Sequence, residues 1–334
     1  MNGVSVIACC CNSALRLRET LGHLARQAIP ASIPWELMVV NNASTDDTAG
    51  AARRIWSELG SPAPLSVVDE PTPGLSHARE RGIASAKFDT LVFADDDNWL
   101  APEYVQLAYV RMLNEPTIGA LGGRIEACCE VAPPPWFESV KAKYAVGAQG
   151  RATGAITDYK PHLAGAGLVL RKSAYLRLRS LNFKFLLSGR CGDKLTSGED
   201  TELCHALALI GYQIWYDERL VLTHFIPASR LQTDYLRGLN KQIRAAGLVL
   251  ALYEMALSHA EASPAAAYLN GVWKSGFWAL KACAKIFIRG QSPMLAELEF
   301  SNLMFKLGNF GHFLRLFGTH YREIARLKPT TRLS

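Results

Sequence analysis

Residues 90–104 read TLVFADDDNWLAPEY. Strand-forming Leu91, Val92 and Phe93 run straight into three consecutive carboxylates, Asp95, Asp96 and Asp97. Like charges this close repel one another unless a positive group lies between them, so the stretch raises the question of its counter-ion. A strand that ends in polar groups also bears on function, because ligands of open α/β sheets gather at the carboxyl ends of the strands.

Upstream of this stretch, strand and helix patterns alternate. VSVIACC (4–10) reads as a buried strand, and the segment from Ser13 to Ala28 spaces Leu17, Leu21, Leu24 and Ala28 as a helix does. WELMVV (35–40) predicts a second strand. STDDTAGAARRIWSEL follows, with Ser44 three residues before Asp47 as in a capping box, then a helix burying Ile55, Trp56 and Leu59. LSVVDE (65–70), the helix GLSHARERGIASA and the strand TLVFA (90–94) continue the alternation. The expected fold class is α/β, a mostly parallel sheet with helices on both faces. The strands end in Cys9 to Asn12, in Asn41 and Asn42, and in Asp95 to Asp97. No GxGxxG follows any of them, which argues against a redox dinucleotide.

The chain is 334 residues long, 49% hydrophobic and 20% charged, enough to bury a full core. A net charge of +6 without a long basic run excludes nucleic acid as the expected partner. Eight cysteines form no CxxC pair, so no structural zinc is indicated, and a reduced, cytoplasmic setting is expected. The segment after Met1 lacks the pattern of a signal peptide, and no run of eighteen apolar residues suggests a spanning helix.

Taken alone, the acid triplet has two readings. Hard divalent cations such as Mg²⁺ or Mn²⁺ take one or two protein carboxylates and fill the rest of their shell from substrate phosphates. The plainer alternative is a solvated acidic turn. A second acidic site, Glu199 and Asp200 in TSGEDTELCHALALIGYQIWY (196–216), opens a helix whose Leu203, Leu207 and Ile210 face a core. Ser197 stands there as the expected cap, and acids in a first turn also simply satisfy the helix dipole.

Read together, VSVIACCCN, LMVVNNASTDDT, GLSHARERGIASAKFDTLVFADDDNWLAPEYV and GEDTELCHALALIGYQIWY resemble, in order and spacing, the family-2 glycosyltransferases of bacterial polysaccharide biosynthesis. The resemblance covers about residues 4–226 and implies a GT-A, Rossmann-like nucleotide-sugar-binding fold. It also implies that Asp97 holds a metal, Mn²⁺ or Mg²⁺, bridging a donor diphosphate, with Asp95 or Asp96 at the ribose. Asn41 and Asn42 stand at the base-binding strand end, where the family commonly has an acid at the position of Asn41. Cys9 and Asn12 would line the same pocket, although adjacent thiols also suit plain strand-end packing. Arg79 would sit near the nucleotide. Asp200 would be the general base of an inverting transfer, with Glu199 as the next candidate. His224 and Arg230, in LTHFIPASRL, resemble an HxIPxxR stretch of the family, which would put His224 near the metal.

The implied donor is a nucleotide diphospho-sugar, UDP-linked ahead of GDP-linked, and the implied acceptor is a glycan or lipid-linked hydroxyl. Trp136, in the proline-stiffened EVAPPPWFES, and Gly165, in HLAGAGLVLRKSAY, read either as an acceptor wall or as a packed anchor and a bulge. From residue 231 the composition turns to helix formers, dividing a catalytic region (1–230) from a helical one (231–334). There Trp273, Phe277, Trp278, Phe287 and Ile288 accompany Lys274, Lys281, Lys285 and Arg289, which suits an anionic membrane surface at the inner face of the cell membrane, a homodimer, or packing on the catalytic region. Two rivals to the transferase remain: a sugar nucleotidyltransferase, which would want a basic glycine-rich loop where CCCNSALR stands, and a catalytically silent sugar-nucleotide-binding scaffold.

Overall fold

The computed structural model describes residues 2–188, 197–258, 263–289 and 293–328. Thr196 and the side chains of Phe287, Ile288 and Arg289 lie outside the described residues.

The predicted alternation forms as β1 (Val4–Cys10), α1 (Leu17–Ala25), β2 (Trp35–Asn42), α2 (Thr48–Glu58), β3 (Leu65–Glu70), α3 (Leu75–Ser85) and β4 (Thr90–Phe93). β1 pairs in parallel with β2 on one side and β4 on the other, and β3 extends the sheet beyond β2. All seven residues of β1 are buried, which is why it reads as an unbroken apolar run rather than an alternating one.

Beyond β4 the sheet becomes mixed. It continues through β5 (Asn98–Leu100), α4 (Tyr104–Asn114), β6 (Ile118–Cys129), α5 (Phe137–Val140), β7 (Gly154–Ala155), β8 (Val169–Arg171), α6 (Lys172–Ser180), α7 (Glu199–Leu209) and β9 (Gln213–Ile226). The strand order is β3-β2-β1-β4-β8-β6-β9-β5, with β7 also on β9. β8 runs antiparallel between β4 and β6, whereas β6 and β9 are parallel. The sheet is therefore parallel through β3, β2, β1 and β4 and again between β6 and β9, and antiparallel where β5, β7 and β8 pair. Short β5 pairs antiparallel with β9 and sets Asn98 opposite His224. That register carries the acid triplet to a strand from far along the chain.

Three helix starts differ from expectation. α1 begins at Leu17, after a turn in which the Ser13 carbonyl accepts from Arg16 and Leu17 while its hydroxyl goes to Asp96 and its backbone N–H to Thr48. Ser44 accepts the N–H of Asn12 at 3.1 Å and does not cap α2, which begins at Thr48. α7 is preceded by Gly198 at φ 105°, a left-handed conformation that glycine adopts without steric cost, and Ser197 does not cap it.

The C-terminal region consists of α8 (Thr233–Leu257), α9 (Pro264–Arg289), α10 (Met294–Gly308) and α11 (Phe310–Ala325). The expected boundary at 230 falls in the 3₁₀ turn Ala228–Leu231. One continuous core runs from Ile7 and Phe93 of the sheet through Leu248, Leu252 and Tyr253 of α8 to Phe313 of α11. Fully buried Glu202 of α7 ties the same parts together, accepting the backbone N–H groups of Leu186 and Leu187 and the hydroxyl of Tyr253. Among the described residues no helix is long and apolar enough to cross a membrane.

Candidate active site

Each acid of the triplet has its own arginine, and the three arginines come from three different parts of the chain. Asp96 turns toward the loop after β1, where Arg16 approaches it at 2.6 Å and Ser13 donates to it. Asp95 faces Arg79 of α3 at 3.6 Å. Asp97 accepts from Arg230, just after β9, at 3.0 Å. Three adjacent carboxylates thus coexist in a buried place because three guanidinium groups are delivered to them.

The surroundings push the three acids apart in acidity. Burial raises Asp95 to about 6 although Arg79 opposes it. Burial and the charge of Asp97 raise Asp96. Burial acts on Asp97 in the same direction, but the neighbouring His224 and Arg230 win and hold it well below the usual carboxylate range. Asp97 is therefore the most acidic of the three.

Asp97 and His224 also supply the donor set a divalent cation wants. His224 Nδ1 lies 3.0 Å from the carbonyl oxygen of Tyr144, which can only accept, so this nitrogen carries a proton. Nε2 then faces Asp97 Oδ2 across 3.6 Å, where it donates toward the carboxylate in the protonated ring and offers a lone pair to a cation in the neutral one. A ring nitrogen fixed by a backbone carbonyl is the usual support of a metal-binding histidine. Arg230 Nη1 lies within 3.5 Å of that Nε2 as well as on Asp97, so a positive group already occupies this spot. Among the described residues no three or more His, Cys, Asp or Glu side chains converge on one point. Two protein ligands fit a cation that takes the rest of its shell from phosphate oxygens.

Arg79 links this half of the site to the other. Its guanidinium is buried, stands over the Phe93 ring at 5.6 Å, and bridges from Asp95 to Glu199 Oε1 at 3.3 Å. Burial and the neighbouring Asp200 raise Glu199 to about 7, against the pull of Arg79. Asp200, next along α7, accepts the N–H of Gly165 at 2.7 Å through Oδ2 and that of Thr201 at 2.7 Å through Oδ1. It is the more exposed of the two acids. A small cavity lined by Ile83, Phe93, Leu168 and Tyr175 opens beside Arg79, Glu199 and Asp200. Its apolar wall accounts for the desolvation of Glu199.

Several expected positions are engaged by the chain itself. Asn42 is buried and uses its whole amide, donating to the carbonyls of Glu70 and Thr72 and accepting from Gly74. Asn12 accepts from Thr45 N–H at 2.7 Å and staples the loop after β1 to the loop after β2. Cys9 is buried in the core beneath the triplet, where burial pushes its thiol well up, so it packs rather than lines a pocket. Asn41 donates to Asp69 at the end of β3 at 2.8 Å.

Gly165 does not open toward a sugar: a Cβ there would stand 2.4 Å from Arg79 Nη2, so its bareness makes room for the arginine. Trp136 is likewise no open wall. It is buried with Phe137, Tyr144, Ile226, Leu236 and Leu298, where it pins its loop to the C-terminal helices. Sequence reading missed Arg16 altogether and gave Arg230 no role of its own. The need for a counter-charge at each acid was the available signal, but the sequence does not say which of 36 lysines and arginines provides it.

The family model for glycosyl transferase family 2 matches residues 5–178. No curated protein matches the chain. Among solved structures, S. aureus TarS 1-349 in complex with UDP-GlcNAc superposes with a TM-score of 0.55 at 16% identity, covering 97% of this chain and 88% of that one. The mannosyltransferase PcManGT from Pyrobaculum calidifontis, in complex with GDP-Man and Mn²⁺, gives a TM-score of 0.53 at 22% identity over 98% and 86%. A longer S. aureus TarS chain gives 0.54 at 16% identity over 96% of this chain, which spans 50% of that one. These likenesses show a shared fold.

Proposed function

Because the chain belongs to glycosyl transferase family 2, we propose that it moves a sugar, with inversion, from a nucleoside diphosphate carrier to a hydroxyl of a glycan or lipid-linked acceptor. The setting proposed is surface or exported polysaccharide synthesis at the cytoplasmic face. The observation that carries this reading is the chain Asp97–Arg230–His224 on one side and Asp200 on the other, joined through Asp95, Arg79 and Glu199.

In this mechanism the acceptor O–H gives its proton to the Asp200 carboxylate while its oxygen bonds to the anomeric carbon. The bond from that carbon to the diphosphate breaks on the opposite face, and the diphosphate leaves with the electron pair. Gly165 N–H and Thr201 N–H hold Asp200 in place for this task. Arg230 sits where it can exchange Asp97 for the leaving diphosphate. A divalent cation, Mn²⁺ or Mg²⁺, held by Asp97 and His224, would neutralise further charge on the phosphate oxygens. For the base, Asn41 spends its amide donor on Asp69, leaving a carbonyl and a carboxylate as acceptors for an imino N–H of the kind uracil and guanine both carry. UDP stands ahead of GDP on the family resemblance alone.

Calorimetry with UDP and with GDP tests the donor half. Affinity is expected to require Mn²⁺ or Mg²⁺ and to fall about 10- to 100-fold in Asp97→Asn, as losses at metal sites commonly do. Equal affinity in chelator and in metal would contradict the assignment of Asp97 and His224.

A further inference from the structure

The exposed apolar surface of this molecule is concentrated where the catalytic reading makes no use of it. Of the seventeen large apolar residues left exposed among the described residues, ten lie between 264 and 328. On α9, Leu269, Trp273, Phe277 and Leu280 recur at four, four and three residues and so share one face. Leu269 is 60% exposed, Trp273 77% and Leu280 70%, so among the described residues this face is left largely open. The opposite face carries the packing, with Tyr268, Ser275, Ala279 and Ala282 buried. α10 packs beside α9, joined by Tyr268 to the carbonyl of Lys306 and by Lys306 to that of Gly271, and leaves Phe300, Met304 and Leu307 exposed.

The charge is concentrated in the same place. Residues 264–334 hold ten lysines and arginines against three acids, which leaves 26 against 27 in the first 263 residues. The positive charge of the chain therefore resides in this region. Lys274, Lys281 and Lys285 line the border of the apolar face of α9, with Lys281 lying 4.7 Å over the Trp278 ring.

We infer that the outer face of α9 docks on an anionic lipid bilayer, with its apolar residues among the acyl chains and its lysines at the headgroups. Exposed tryptophans bordered by lysines match the two halves of an interfacial surface, one apolar and one cationic. The helix lies on the bilayer and does not span it, since among the described residues no helix is long and apolar enough to cross. A second copy of the chain is the weaker occupant. Two-fold pairing would set the same basic border against itself, with few acids in the region to offset it.

Flotation of the intact protein on vesicles tests this without reference to its reaction. Binding is expected to phosphatidylcholine vesicles containing about 30% phosphatidylglycerol, and to be weaker on pure phosphatidylcholine. The joint change of Lys274, Lys281 and Lys285 to Gln should weaken binding roughly a hundredfold, about fivefold for each lysine near the surface. Trp273→Glu with Leu280→Glu should abolish it, and raising salt should release the unmodified protein, a readout that needs no variant to fold. Failure to float on anionic vesicles, or flotation indifferent to salt and to both variants, overturns the inference. A solution dimer that Trp273→Glu converts to monomer, without vesicle binding, gives the face to a second copy and overturns it too.

Discussion

At the scale of single residues, the site depends on where three arginines are held, and Gly165 holds one of them by having no side chain. A Cβ at 165 would meet Arg79 Nη2 at 2.4 Å, so Gly165→Ala must displace a buried guanidinium that serves both Asp95 and Glu199. We expect a stability loss of about 1–3 kcal/mol, the usual cost of overpacking, read as an earlier denaturant midpoint at unchanged slope. Transfer should fall in the folded fraction as well. A variant of full stability and activity would show that Arg79 has room to move and that its bridge is incidental. The acids themselves were legible in the sequence, because each stands at a strand or helix end where a motif marks it. Their partners were not. Motifs marked Arg79 and Arg230 but not the acids they pair with, and nothing local marked Arg16: the three reach Asp95, Asp97 and Asp96 only through the fold. The internal bonds of Asn12 and Asn42 and the packing of Cys9 were equally hidden, since an amide or thiol at a strand end reads alike as a support or as a ligand contact.

At the scale of elements, the strands were readable and the helix starts less so. A run such as VSVIACC, buried on both faces, has no other stable place, and β1 spans the residues expected. Capping patterns proved ambiguous because a serine can be claimed by a neighbouring loop, as Ser44 is by Asn12. The mixed half of the sheet was also hidden, since β5, β7 and β8 have only two or three residues each and too little length for a period. The loop holding Trp136 makes a test at this scale. If the ring anchors that loop to α8 and α10, Trp136→Ala should cost about 3–5 kcal/mol of stability, as other large buried aromatics do. Thermal or urea unfolding reads this directly. A fully stable variant whose acceptor affinity alone is lost would restore the acceptor-wall reading.

At the scale of the whole molecule, the core shared by the sheet, α7, α8 and α11 means that Asp200 on α7, the acids after β4 and the helical region are held in one frame. The sequence conveyed the change of composition at residue 231 but not that the helices would finish the core of the catalytic region, because the contacts of Tyr253 and Phe313 with it are long-range. The central claim is that this frame holds Asp200 as the base opposite a separately bound donor. Asp200→Asn keeps the shape and, through its one carbonyl oxygen, one of the two hydrogen bonds from Gly165 and Thr201, while losing the ability to take a proton. The decisive measurement is the release of nucleoside diphosphate from a panel of UDP- and GDP-sugars with Mn²⁺, set beside calorimetric affinity for the same nucleotide, in this variant and the unmodified chain. The account predicts a fall in release of roughly 10²- to 10⁴-fold with donor affinity unchanged. Normal release by Asp200→Asn, or a loss of donor affinity as large as the loss of rate, would contradict it.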